Sequence, residues 1–226
     1  KEIALIPQAA MNALNPVMRI DDQIRDGLMV HLGRMSRAQQ DKVIADVLKM
    51  VNLPQDIAKS YPHQLSGGMK QRATMAIAVA LRPKVIIADE PTSALDVVVQ
   101  KRVMITLLRL QKDLGSAVML VGHDIGLMTQ FVDTLGVMYA GILVEWAPVG
   151  DILEHAYHPY TRMLIESLPT LSHRKQLIGI PGMPPQLLNL PPGCPFAPRC
   201  PFVFDRCREE NPAVQAVKPG RTVACH

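Results

Sequence analysis

The chain has 226 residues, with 24 Lys and Arg against 20 Asp and Glu and a formal net charge of +4. This length suits one good-sized domain or one domain with an appendage, and 48% hydrophobic with 19% charged residues is typical of a folded protein. The basic residues are scattered, so the composition does not indicate nucleic-acid binding. No apolar run reaches the ~18 residues of a membrane span, and the first residues lack a secretory pattern.

The first part of the chain predicts a strand and then a helical stretch. Residues 2–7 form a short apolar run typical of a strand, and Gln8 follows it directly. Residues 18–62 should be mostly helical, and Ser36 with Gln39 makes the S-x-x-Q capping box that marks a helix start. Gln8 is therefore expected at the carboxyl end of a strand.

A glycine turn at a helix start is the first feature that points to chemistry. Ser66, Gly67 and Gly68 stand where apolar residues begin to recur at helical spacing, until Pro83 ends the pattern. Free backbone N–H groups, a hydroxyl and two glycines that permit close approach suit a phosphate. Alone, such a turn is usually only a loop.

A pair of acids at a strand end is the second such feature. Residues 85–88 predict a strand buried on both faces, and Asp89 and Glu90 follow at its carboxyl end, where open α/β sheets bind ligands. An isolated acid pair there usually only meets solvent. The glycine turn, the acid pair and the S-A-L-D run that ends at Asp96 are far more specific together than separately.

The elements that follow predict one more candidate residue. Residues 97–114 should form a helix of about five turns. Residues 117–122 should form a buried strand, and His123 follows it directly. A histidine at a strand end is usually a hydrogen-bonded spectator. The remaining predicted elements are a hairpin of residues 135–139 and 142–146 and short helices at 151–156 and 161–168.

These runs resemble the motifs of the ATP-binding-cassette (ABC) ATPases. LSGGM at 65–69 is similar to the signature motif, VIIADE at 85–90 to Walker B and SALD at 93–96 to the D-loop. VGHD at 121–124 resembles the H-loop, and Gln8 with the segment after it resembles the Q-loop of peptide-importer ATPases. The implied fold class is α/β: a cassette of a mixed sheet with flanking helices and an α-helical subdomain at about residues 16–75.

The resemblance also implies a role for each matching residue in ATP hydrolysis. Asp89 is expected to hold Mg²⁺ and Glu90 to polarise the attacking water. His123 should contact the γ-phosphate, and Gln8 should sense the same region. The residues expected to serve the nucleotide of a second cassette, across a shared seam, are Ser66, Gly67, Gly68 and Asp96.

From residue 169 onwards the sequence becomes rich in proline and contains all four cysteines. The run IPGMPPQLLNLPPGCPFAPRCPF at 180–202 resembles the appendage of the oligopeptide, dipeptide and nickel importer ATPases. We therefore expect an ATPase domain over residues 1–168 and a C-terminal extension over residues 169–226.

The cysteines are spaced C-x5-C-x6-C-x17-C, and their chemistry stays open between three states. Disulfides are disfavoured because nothing directs the chain to an oxidising compartment. Structural zinc prefers closer cysteine pairs, four thiolates also suit an iron–sulfur cluster, and free thiols are the third possibility. The resemblance implies a [4Fe–4S] cluster, with zinc as second choice, on Cys194, Cys200, Cys207 and Cys225.

The resemblance implies an importer motor, bound peripherally at the cytoplasmic face of the membrane and powering uptake of peptides or related solutes. Its expected partners are a second ATPase subunit, two transmembrane permease subunits and, indirectly, an extracytoplasmic solute-binding protein. Two rivals are a cassette ATPase acting on DNA or ribosomes and a non-catalytic regulatory or metal-sensing module. The first should show a coiled-coil insertion or a strongly basic face, and the chain shows neither.

The phosphate-binding pattern G-x-x-x-x-G-K-[ST] does not occur in these 226 residues. In the resembled family this Walker A loop lies upstream of the motifs above. We therefore expect the sequence to be incomplete at its N-terminal end, and the 226-residue segment alone to bind ATP weakly without turnover.

Overall fold

The computed structural model describes residues 2–8, 10–168 and 179–226. The chain divides into two compact units, Lys1–Asp124 and Ile125–His226. The domain boundary expected at 168/169 borders residues 169–178, which lie outside the described residues, and it stays a prediction. None of the helices in the described part of the chain combines the length and apolarity needed to cross a membrane.

The first unit is built on a parallel sheet of three strands in the order β1-β2-β3. The strands are β1 (Ile3–Ile6), β2 (Val85–Asp89) and β3 (Ala117–Val121). Ile6 pairs with Ala88 and Asp89 with Val121, so all three carboxyl ends meet at one edge of the sheet. This edge carries the residues that follow each strand.

The central strand differs from the prediction on one face. Ile86 and Ala88 are fully buried and belong to the core of the unit, whereas Val85 and Ile87 are only half-buried. The apolar run alone did not distinguish these two faces, because all four residues are hydrophobic.

The helices of the first unit follow the predicted order. The capping box of Ser36 and Gln39 is confirmed, with the Ser36 side chain accepting from the Gln39 backbone N–H. Two short 3₁₀ turns span Gln55–Lys59 and Pro62–Gln64. The helices are α1 (Ala10–Ala13), α2 (Ile20–Leu32), α3 (Arg37–Met50), α4 (Gly67–Val79) and α5 (Val97–Leu114).

The second unit contains an antiparallel sheet in the order β4-β5-β7-β6. The predicted hairpin is confirmed, and Ala140 and Gly141 between its strands both have positive φ, as a tight hairpin turn requires. The strands are β4 (Thr134–Tyr139), β5 (Ile142–Pro148), β6 (Gln215–Lys218) and β7 (Arg221–Val223). The helices are α6 (Ile125–Met128), α7 (Val149–His155), α8 (Pro159–Glu166) and α9 (Asp205–Glu209), with a 3₁₀ turn at Ala197–Arg199.

The α/β class is confirmed, but the described strands form one parallel and one antiparallel sheet rather than the single mixed sheet expected. Strands β6 and β7 were not predicted. They are four and three residues long and lack an alternating apolar pattern, so they are recognisable only through their pairing with β5.

A buried ion pair fastens β7 to β5. Arg221 Nη2 lies 2.7 Å from Glu145 Oε1, and both side chains are at most 2% exposed. Glu145 also accepts the backbone N–H groups of Tyr157 and His158, each at 2.9 Å. One carboxylate thus holds the last strand and the start of α8 in place.

Candidate nucleotide site and cysteine cavity

The edge of the parallel sheet brings three predicted residues into direct contact. Gln8 Nε2 donates to Glu90 Oε2 at 3.1 Å, and His123 Nδ1 lies 3.1 Å from Glu90 Oε1. Each residue follows a different strand, and the carboxyl ends of these parallel strands meet at one edge of the sheet, as expected. The Glu90 carboxylate therefore lies between an amide and an imidazole.

Glu90 has an unusual backbone conformation, with φ of +43°. A non-glycine residue in this region is strained, and such strain is found at functional sites. The Glu90 N–H donates to the Val121 carbonyl at 2.9 Å, which ties the strained residue to the end of β3. This geometry fixes the carboxylate at the sheet edge, where it can accept a proton from a bound water.

His123 and Asp89 complete this edge. The His123 side chain is 81% exposed, so its ring is accessible to a ligand. Asp89 is the last residue of β2 and is half-buried. A carboxylate is an oxygen ligand of the kind Mg²⁺ prefers, so Asp89 fits the expected metal role by chemistry and position.

The predicted phosphate turn begins α4, and its residues also stabilise the local structure. The Ser66 side chain caps α4 by accepting from the Met69 N–H at 3.4 Å. A Cβ added to Gly68 would lie 2.7 Å from Val99 Cγ1, so glycine allows α4 to approach α5 closely. Gly67 is the first residue of α4 and is half-buried.

Asp96 caps α5 in the same way, accepting from the Val99 N–H at 3.0 Å. The N-terminal ends of α4 and α5 therefore meet at the Gly68–Val99 contact. Both ends present the positive pole of a helix dipole, which favours an anion. The roles expected for the four residues of this group in binding a nucleotide stay predictions.

The second unit contains a cavity of about 180 Å³ around the four cysteines. The cysteines are unpaired and partly buried. The other lining residues include two histidines and several aromatic rings. The lining residues include Cys194, Cys200, Cys207, Cys225, His158 and Phe196.

Burial and mutual charge raise the pKa of three of these thiols. Burial raises the pKa of Cys194 and Cys200, although backbone hydrogen bonds partly offset it. Burial, followed by the charges of the other three cysteines, raises the pKa of Cys225 to about 11. Without a cation beside them, Cys194, Cys200 and Cys225 therefore stay protonated at neutral pH.

His158 was missed by sequence reasoning. It precedes Pro159 at the start of α8 and caps that helix, because its Nδ1 accepts the Tyr160 N–H at 3.1 Å. Burial lowers the pKa of His158 to about 4, although the Glu145 carboxylate acts in the opposite direction. The His-Pro pair at a helix start was the available signal for the cap, but it carried no information about the cavity.

The cavity also depends on Gly193, another residue that the sequence did not single out. The Cys194 N–H donates to the Cys207 carbonyl at 2.8 Å. A Cβ on Gly193 would lie 2.3 Å from that same carbonyl oxygen, which is too close for any side chain. Glycine therefore permits the two cysteine-bearing segments to meet.

Gly193→Ala is expected to destabilise the second unit by about 1–3 kcal/mol, because the new methyl group forces two backbone segments apart. Urea unfolding followed by fluorescence of Trp146, the single tryptophan, measures this change in the second unit. Gly150→Ala is the matched control, since its Cβ would meet nothing within 4 Å and lies in α7. Equal unfolding midpoints for both variants would contradict the crowding.

Comparison with known protein families gives two matches along the chain. A model of the ABC transporter family matches residues 1–93, and one described as the oligopeptide/dipeptide transporter C-terminal region matches residues 144–207. The solved dimeric cassette MJ0796 bound to ADP and Pi is 30% identical, with a TM-score of 0.57 over 66% of this chain and 63% of that one. The structure of cbiO1 from Clostridium perfringens, part of an ABC transporter complex, is 25% identical, with a TM-score of 0.61 over 68% and 59%.

The similar relatives cover the whole chain. The oligopeptide transport ATP-binding protein OppD of Salmonella typhimurium is 41% identical over 100% of this chain and 68% of its own length. The dipeptide transport ATP-binding protein DppD of Escherichia coli is 41% identical over 100% and 69%, and AppD of Bacillus subtilis is 40% identical over 99% and 69%. These relatives are transport ATP-binding proteins, so the rival prediction of a non-catalytic regulatory module is not supported. The chain belongs to the ABC ATPase family, among the ATP-binding proteins of ABC transporters that include OppD, DppD and AppD.

Proposed function

We propose that this chain is the ATP-hydrolysing subunit of an ABC importer for peptides or related solutes, acting at the cytoplasmic face of the membrane. The observation that carries the proposal is the Glu90 carboxylate, held by Gln8 and His123 at the carboxyl edge of a parallel sheet. The transported solute follows from the relatives, whose names give oligopeptide and dipeptide transport.

In this function Glu90 accepts the proton of the water that attacks the γ-phosphate. Asp89 would hold Mg²⁺, which when bound would neutralise part of the phosphate charge. His123 is exposed enough to donate to a γ-phosphate oxygen. Gln8, which follows the neighbouring strand, contacts the Glu90 carboxylate. All four side chains act at the ends of three adjacent strands.

The paired helix starts face a different nucleotide in this proposal. Ser66, Gly67, Gly68 and Asp96 lie at the N-terminal ends of α4 and α5, whose dipoles favour phosphate. The nucleotide they serve is held mainly by a second ATPase subunit, so the motor is a dimer. Two permease subunits and an extracytoplasmic solute-binding protein complete the importer.

The proposal is tested with the full protein co-expressed with its permease subunits and a partner ATPase subunit. We expect the subunits to purify as one membrane complex that hydrolyses Mg·ATP and imports a labelled peptide into proteoliposomes. A matched preparation without the permease subunits should stay off the membrane. Purification with nucleic acid or ribosomes and no permease would contradict the importer function.

We further propose that the cysteine cavity holds a [4Fe–4S] cluster. All four thiols line one cavity, and four thiolates are the ligand set of such a cluster. Among the described residues no group of His, Cys, Asp or Glu side chains is arranged to hold a metal ion, so the proposal rests on the shared cavity and the ligand chemistry alone. The cluster would link the segments that carry Cys194, Cys200, Cys207 and Cys225.

Metal analysis of protein purified without air tests the cluster. We expect about four iron and four sulfide per chain, with little zinc, and a broad absorbance that dithionite bleaches. Cys207→Ala should lower the iron content, and Met183→Ala, an exposed change in the same extension, should not. Stoichiometric zinc, or no metal, would contradict the cluster.

A further inference from the structure

We propose that His158 positions and tunes the iron–sulfur cluster by donating a hydrogen bond from Nε2–H to a cysteine sulfur or a cluster sulfide. The inference rests on the cluster proposed above. It assigns to His158 a role in the second unit that neither the ATPase motifs nor the cysteines themselves provide.

The hydrogen bonds of His158 fix its tautomer. Nδ1 accepts the Tyr160 backbone N–H at 3.1 Å, so Nδ1 carries a lone pair and no proton. A neutral imidazole then has its proton on Nε2, which makes that nitrogen a donor. The same fact excludes Nε2 as a metal ligand, because a ligand needs the lone pair that Nε2 lacks.

The position of His158 directs this donor towards the cavity. The residue is 1% exposed and lines the cavity together with all four cysteines. In the described part of the chain the structure gives Nε2 no hydrogen-bond acceptor. Buried donors of this kind normally have a partner, and the cavity that His158 lines is where we expect that partner.

The neighbours of His158 hold the ring in this orientation. Its backbone N–H donates to Glu145 Oε2 at 2.9 Å, and its ring lies 5.9 Å from that of Phe196. Phe196 follows Cys194 by two residues and lines the same cavity. These contacts fix the imidazole beside the segment that carries Cys194 before any ligand enters the cavity.

A donor to a cluster sulfur stabilises the more negative, reduced state, and hydrogen bonds to the sulfurs are a recognised determinant of cluster potentials. Outer-shell donors of this kind also orient the ligands of a metal centre. Losing one such bond should change the reduction equilibrium about tenfold, since a hydrogen bond to a charged group contributes at that level.

Two substitutions separate this role from the helix cap. In His158→Asn the side-chain oxygen replaces Nδ1 and keeps the cap, but no donor reaches the cavity. In His158→Gln the amide nitrogen replaces Nε2 and keeps the donor, but the cap is lost. His155→Gln, on an exposed residue of the same unit, is the control.

The experiment measures iron content and reduction potential of the full protein, purified without air. We expect unchanged iron content in all variants. In His158→Asn the reduction potential should be more negative, by the amount that corresponds to an about tenfold change in the reduction equilibrium. In His158→Gln the reduction potential should stay close to that of the wild type. Equal potentials in wild type and His158→Asn would overturn the role of His158 while leaving the cluster. Absence of iron from the wild type would overturn both.

The wild-type protein offers a second test that needs no variant. In the reduced cluster, pulsed electron paramagnetic resonance should detect an exchangeable proton and a histidine nitrogen coupled to the iron spins, after labelling with ¹⁵N-histidine. The absence of any histidine coupling would overturn the hydrogen bond, even if the His158 variants failed to fold.

Discussion

Glu90→Gln is expected to reduce ATP hydrolysis by the assembled transporter by about 10²–10⁴-fold, the range that general-base catalysis contributes. The amide keeps the size of the carboxylate and can still accept from Gln8, but it cannot take a proton from water. ATP binding should remain intact, because the phosphate contacts do not depend on the Glu90 charge. Turnover of Mg·ATP and binding of a fluorescent ATP analogue measure the two effects separately.

The control for this change is Glu166→Gln, which removes a charge from an exposed pair with Arg162. It should leave both turnover and binding unchanged. A Glu90→Gln transporter that retains wild-type turnover would remove Glu90 from the proposed role. Loss of ATP binding together with turnover would instead indicate that the substitution disturbs the strained backbone at the end of β2.

The candidate nucleotide site was predictable because its residues follow strands. Apolar runs mark β1, β2 and β3, and parallel pairing then requires Gln8, Glu90 and His123 to meet at one edge. The sequence could not show that Glu90 touches both of the others, or that its φ is positive. Those facts depend on strand register and on the turn that follows Glu90.

The second unit was less predictable because its organisation comes from contacts between distant residues. Arg221 and Glu145 are 76 positions apart, and each looks like an ordinary surface charge in the sequence. Gly193 lies in a proline-rich segment where a glycine draws no attention. A short strand such as β7 has too few residues for a period, so only its partner reveals it.

The buried pair of Glu145 and Arg221 supports an asymmetric prediction. Glu145→Leu should destabilise the second unit by about 5 kcal/mol, because it leaves two backbone N–H groups, those of Tyr157 and His158, without acceptors and removes the carboxylate that neutralises the buried guanidinium. Arg221→Met should cost about 3 kcal/mol, since the remaining carboxylate keeps both N–H donors. Urea unfolding followed by Trp146, which pairs with Thr222 of β7, measures both values.

The double variant decides whether the two charges act as a pair. With both removed, the two backbone N–H groups and the His155 carbonyl lose their partners, but no buried charge is left unpaired, so the double variant should be more stable than Glu145→Leu alone. Arg162→Met, which breaks an exposed ion pair in the same unit, should give no measurable change. If the two single costs are equal and simply add in the double variant, the carboxylate is not the common anchor of β7 and the start of α8. Its effect would then be one of packing, and the position of Cys225 two residues beyond β7 would not depend on the charge of Glu145.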